Sequence, residues 1–120
     1  MTLIQAALLL IYSASLALGQ FLFKTAAARF AVSPARTPVG RFLGLALDPF
    51  FLLAMVVYLG ISLFWVWLLS QVPLAKAYPF VAVNFILVAL VGTLFFSERV
   101  SPINWAGLVL IATGVVLATR

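Results

Sequence analysis

Four stretches of this chain are apolar almost without interruption, and short polar clusters separate them. They cover residues 3–23, 49–69, 75–96 and 102–119. About 20 apolar residues in helical conformation cross the hydrocarbon core of a bilayer, so each run predicts a transmembrane helix. The boundaries carry helix-start chemistry. Asp48-Pro49 and Ser101-Pro102 each place an N-cap acceptor before a proline at the first helical position. The links "QVPLAK" (71–76) and "SERVS" (97–101) are short, which makes their flanking spans antiparallel neighbours. The longest link, 24–48, contains Pro34, Pro38 and Gly40 and the apolar piece "RFLGLAL". Part of it is expected to form a short amphipathic helix in the interface.

Within the spans the polar positions are few and aligned. At 100° per residue, Ser13, Ala17, Gln20 and Lys24 fall within about 60° of one another on the first helix. Tyr58, Ser62 and Trp65 share a face of the second, and Asn84, Val91 and Glu98 share a face of the third. Polar groups in a bilayer face a bundle interior or a wet cavity rather than lipid. Ser13, Ser62 and Thr93 are expected to be helix–helix hydrogen-bonding residues. Pro79, in "AYPF", withdraws the amide that the Ala75 carbonyl needs, and predicts a kink beside a cleft. The fourth span has no ionisable side chain. Its Gly107 and Gly114 lie on one face, which predicts close helix–helix approach and a dimer contact.

Composition fits this pattern. The chain has 120 residues, 67% hydrophobic and 8% charged, against roughly half and a quarter in ordinary soluble domains. The expectation is an all-α membrane protein, one four-span domain over residues 1–120. The first run is read as a retained span, because it is long for a cleavable leader and lacks a basic start. Cysteine and histidine are absent from the sequence, which removes disulfides, thiol catalysis and most transition-metal sites. No phosphate-binding glycine loop or nucleophile elbow is present, so neither a cofactor nor an enzyme activity is predicted.

Charge adds direction. Seven Lys+Arg stand against two Asp+Glu, giving +5. The cations flank apolar runs, so anionic lipids rather than nucleic acid are the expected partners. Lys24, Arg29, Arg36, Arg41 and Arg99 fall on links one and three, and Lys76 and Arg120 on the opposite side. That bias predicts links one and three to be cytoplasmic. The two carboxylates, Asp48 and Glu98, both sit near predicted membrane boundaries. A proton-coupled exporter of cationic drugs needs an acid inside the membrane to exchange protons for cations.

The motifs "LGQFLFK" (18–24), "VPLAKAYPFVAVNF" (72–85) and "SERVSPINWAGLVLIATGVVL" (97–117) resemble a known family. This is the small multidrug resistance branch of the drug/metabolite transporter superfamily, and within it the EamA-like ArnE and ArnF flippase subunits. The resemblance implies a small multidrug resistance-like bundle in a bacterial inner membrane, with spans one to three lining the pathway. It also implies a homodimer, or a heterodimer with a related four-span subunit, through Gly107 and Gly114. The essential first-span glutamate of the multidrug exporters would fall at Leu16, which agrees with the missing acid. The implied activity is flipping of a polyprenyl-phosphate-linked sugar such as undecaprenyl-phosphate-aminoarabinose, for lipopolysaccharide or envelope glycan modification. Lys24, Arg29 and Arg41 are expected to attract the phosphate, and Gln20, Tyr78 and Asn84 to line the sugar's path, with the polyprenyl tail left in lipid. Two alternatives remain at this stage. One is a small-molecule exporter with Glu98 as titrating group; the other is a membrane scaffold for a glycosyltransferase.

Overall fold

The computed structural model describes residues 2–120. Among the described residues there are six helices: α1 Leu3–Ala31, α2 Pro38–Ala46, α3 Pro49–Leu69, α4 Leu74–Val81, α5 Val83–Phe95 and α6 Pro102–Ala118. No strand occurs among the described residues. Among the described residues three helical stretches are long and apolar enough to cross a membrane: Leu3–Ala31, Pro49–Leu69, and Leu74–Phe95 taken together; Pro102–Ala118 is shorter.

Three boundaries differ from those expected. The first helix continues past residue 23 to Ala31. Its 29 residues measure roughly 44 Å at 1.5 Å per residue, against a hydrocarbon core of about 30 Å. Apolarity marks the part in the core, whereas helix formation continues through "TAAARFA", which is rich in alanine. Lys24 and Arg29 therefore ride on an extension of the helix, not in a loop. The third run is two helices, interrupted at Ala82. The break falls three residues beyond Pro79, where Ala82 N–H donates to the Pro79 carbonyl at 3.1 Å in a tightened turn. The buried Ser13 hydroxyl donates to the Phe80 carbonyl at 2.7 Å at this junction. Finally, α6 has 17 residues, or about 25 Å, a little short of the core thickness.

The caps form as their chemistry dictates. Asp48 accepts from the amides of Phe50 and Phe51, and Ser101 from that of Asn104, each ahead of proline. Thr37 caps α2, whose Val39, Phe42 and Leu43 all face outward.

Helix α1 is the centre of the assembly, with α3, α4 and α5 packed around it; α6 packs on α4 and α5 at the edge. The whole measures 53 × 37 × 19 Å, about two helix diameters thick. The tightest packing lies at the end of α1 nearer the second link. There Leu9, Tyr12, Ile61, Leu68, Val72 and Ala77 form one buried cluster. The Tyr12 ring stacks on Trp65 at 4.6 Å. The opposite face of α3 presents Val56, Leu59, Leu63 and Val66 outward. In water such a surface would drive association, whereas against acyl chains it costs nothing.

The expected interhelical role holds for Ser13 and fails for the other two hydroxyls. Ser62 donates to Tyr58 O, and Thr93 to Ala89 O and Leu90 O, all on their own helices. A serine or threonine can satisfy itself at the carbonyl one turn back, and does so where no freed carbonyl is in reach.

Candidate polar crevice and charged rim

The end of the molecule that carries the first and third links gathers the charge. Two depressions form there. The first is a crevice of about 130 Å³ between α1 and α5, whose lining includes Gln20, Lys24, Val88, Val91, Gly92 and Glu98. Gln20 and Lys24 are one helical turn apart and reach it from the same wall. Lys24 Nζ lies 3.2 Å from Glu98 Oε1, with both side chains about half exposed. A pair so open to its surroundings contributes well under about 1 kcal/mol and is easily displaced.

Glu98 is seated by local backbone geometry. Ser97 adopts a left-handed conformation, φ 53°, which turns the chain back over the end of α5. The Glu98 amide then donates to the Gly92 carbonyl at 3.0 Å. Gly92 leaves the room required, since a Cβ there would stand 2.6 Å from Glu98 Oε2. On the other side, Gln20 Nε2 donates to the Tyr58 hydroxyl at 2.9 Å. The Tyr58 ring stacks on Phe23 at 4.9 Å and lies flush against Gly19. The amide is thus held by α3 while its helix neighbour Lys24 is held by the turn after α5.

The second depression, about 320 Å³, lies at the rim between the last turns of α1 and α2. Arg29 Nε approaches Asp48 Oδ2 at 2.6 Å, and Asp48 is largely covered. The same carboxylate caps α3, so one group serves both roles. Arg41 lies over the Phe30 ring at 4.8 Å and donates to the Phe30 carbonyl at 3.0 Å. Its Nε is buried without a partner. Among the described residues Arg41 has no carboxylate within ion-pair distance, because Lys24 and Arg29 take the two available.

The nominated residues therefore separate into groups. Gln20, Lys24 and Glu98 share the crevice; Arg29 and Arg41 share the rim. Tyr78 is exposed and packs edge-on toward Trp65 at 6.2 Å. Asn84 follows the α4–α5 break, and its Oδ1 is buried without a partner. Neither Tyr78 nor Asn84 lines the crevice. Gly107 and Gly114 on α6 meet open space, with nothing within 4 Å of an added Cβ. Sequence reasoning missed Tyr58 as Gln20's partner, Asp48 as Arg29's, and Gly92 as the seat of Glu98. The glycines gave only a weak signal: Gly19 and Gly92 sit at close approaches, whereas Gly60, Gly107 and Gly114, equally inside apolar helices, meet open space.

Comparison with known proteins bears on what this arrangement serves. Relatives include proteins named "Probable 4-amino-4-deoxy-L-arabinose-phosphoundecaprenol flippase subunit ArnE". That of Proteus mirabilis (strain HI4320) is 41% identical over 69 residues, 57% of this chain and 61% of the relative. That of Aeromonas salmonicida (strain A449) is 43% identical over 67 residues, 55% and 59% respectively. That of Hamiltonella defensa is 40% identical over 65 residues, 54% and 59%. The chain is a relative of ArnE-type subunits. It spans about three fifths of the length of these curated relatives. No family model matches the chain, and no solved structure matches it. These ArnE relatives are named as flippase subunits, that is, as transporters rather than enzymes.

Proposed function

We propose that the chain is a subunit of a flippase in a bacterial inner membrane. Its cargo is a polyprenyl-phosphate-linked sugar, of the kind named in its ArnE relatives. The observation that carries this reading is the crevice in which Gln20 and Lys24 stand together, with a weakly held carboxylate as counter-ion. A phosphate offers more charge and more acceptor oxygens than Glu98, so it competes for Lys24 through charge-assisted hydrogen bonds. Gln20 keeps its carbonyl oxygen free for sugar hydroxyls while its amide is tied to Tyr58. The rim arginines, Arg29 and Arg41, collect the anionic headgroup before it enters.

The physical task is to lower the barrier for an ionised headgroup in hydrocarbon, where Born solvation alone costs on the order of tens of kcal/mol. No bond in the cargo changes. The reading of four spans, with the first and third links cytoplasmic, is supported by the apolar runs and by the five cations at that end of the molecule. A second four-span chain, identical or related, docks on the open glycine face of α6.

The test is translocation of a labelled polyprenyl-phosphate-sugar in proteoliposomes, with and without a related partner subunit. Protein-dependent transfer is expected; rates equal to protein-free vesicles in both arms contradict the proposal. A second reading has one observation behind it: Glu98, a carboxylate, lines the crevice. An exporter of neutral or cationic small molecules would use it as the titrating group. Full transport of such a compound by Glu98→Gln removes that reading.

A further inference from the structure

Beside the polar crevice lies a larger apolar groove, about 390 Å³, open to the outside of the bundle between α1 and α5. One wall is the α1 ridge of Ala14, Ala17 and Phe21; the other is the α5 ridge of Leu90, Val91 and Leu94. Each ridge follows the three- and four-residue spacing of a single helix face. The small side chains at 14 and 17 make the concavity, because a leucine at either position would fill it. Val91 lines both the groove and the crevice, so the two adjoin. At their junction Phe21 meets Phe95 at 5.4 Å and Phe96 at 5.5 Å. One end of a ligand in this groove would lie against an aromatic cluster, a short step from Lys24 and Gln20.

The geometry points to this groove as the seat of the first isoprene units of an isoprenoid phosphate, whose phosphate occupies the Lys24 crevice. The occupant is argued from the charge at one end. A second copy of the chain would need no cation at the mouth of an apolar furrow, whereas an amphiphile with an anionic head needs both. The glycine face proposed for a second copy is on α6, which packs on α4 and α5 rather than on α1. The volume lies within the range of small-ligand pockets, so it takes the head-proximal part of a long tail and leaves the rest in lipid. This inference rests on the headgroup reading of the crevice, and it replaces the expectation that the whole tail stays outside the bundle.

The experiment is photo-cross-linking of the full chain in phosphatidylcholine nanodiscs, with farnesyl phosphate carrying a benzophenone on its tail. Label is expected on the α1 and α5 walls. Ala14→Trp and Leu90→Trp, one from each wall and both at outward positions, should each reduce that label at least fivefold while helicity is unchanged. Label spread evenly over the lipid-facing sides of α3 and α6 overturns the inference. So does wall labelling that neither tryptophan reduces, or that disappears as the protein-to-lipid ratio rises, which marks a second copy as the occupant. Lys24→Ala separates the two layers. Wall labelling that survives Lys24→Ala with undiminished yield keeps the groove and discards the headgroup reading. A fall in yield under Lys24→Ala without focused wall labelling does the reverse.

Discussion

At Gly19 the backbone of α1 touches the Tyr58 ring. A Cβ there would lie 2.6 Å from Tyr58 Cε2 and 2.9 Å from its hydroxyl oxygen. The ring cannot retreat freely, because Phe23 stacks on it and Gln20 holds its hydroxyl. Gly19→Ala should therefore destabilise the fold by about 1 kcal/mol, the overpacking penalty exceeding the gain in helix propensity. Gly60, in α3, is the matched control. Nothing lies within 4 Å of its added Cβ, so Gly60→Ala should be neutral or stabilising by up to about 1 kcal/mol. The midpoint of helix loss on titration from mild detergent into SDS reads both. At the crevice, Lys24→Met should slow transfer of an anionic lipid about tenfold or more, the equivalent of one lost charge-assisted hydrogen bond. Glu98→Gln should preserve or raise that rate, because it removes the competitor for Lys24. Initial flipping rates at fixed protein-to-lipid ratio measure the pair.

At the scale of elements, Ser13 joins α1 to the interruption between α4 and α5. Ser13→Ala should cost about 0.6 kcal/mol and at most about 1.7, the range of interhelical hydrogen bonds in membranes. Ser62→Ala and Thr93→Ala, whose hydroxyls turn back on their own helices, should cost less in the same SDS titration. Much of this level was legible in the sequence. The apolar runs, the proline-led starts at Pro49 and Pro102 and the amphipathic piece now seen as α2 follow from local rules. The end of α1 was not, because hydropathy reports where lipid ends rather than where helix ends. The α4–α5 junction was legible only as a proline. At that junction the Phe80 carbonyl is held by Ser13, 67 positions away in the chain. The site divides in the same way. Helical periodicity put Gln20 and Lys24 together, since both lie on one element. The pairing of Glu98 with Lys24 rather than Arg99 was one of the alternatives the sequence offered, but helical periodicity could not reveal Tyr58 as Gln20's partner, or show that Tyr78 and Asn84 lie elsewhere, because those relations are tertiary.

For the whole molecule, the asymmetry between its ends organises the account. One end is tightly packed around Tyr12 and Trp65. The other holds both carboxylates, five of the seven cations and the two depressions. Under the proposed function, such an assembly is firm where helices must stay in register and open where cargo would enter. The edge helix α6 offers its glycines to open space. Gly107→Leu and Gly114→Leu should leave monomer helicity intact and reduce the associated fraction more than tenfold, read by energy transfer between labelled copies, or between this chain and a related subunit, in liposomes. Unchanged association in both settings would move the contact to another face.

The central claim concerns the sign of the cargo's charge. The most direct measurement loads one batch of proteoliposomes, with the partner subunit present, with a labelled polyprenyl-phosphate-sugar and another with a lipophilic cationic amine. Both are followed under an imposed pH gradient. The account predicts protein-dependent flipping of the phosphorylated lipid, sharply reduced by Lys24→Met, and no gradient-driven movement of the amine. Amine transport that collapses in Glu98→Gln, with the phosphorylated lipid crossing no faster than in empty vesicles, would contradict it.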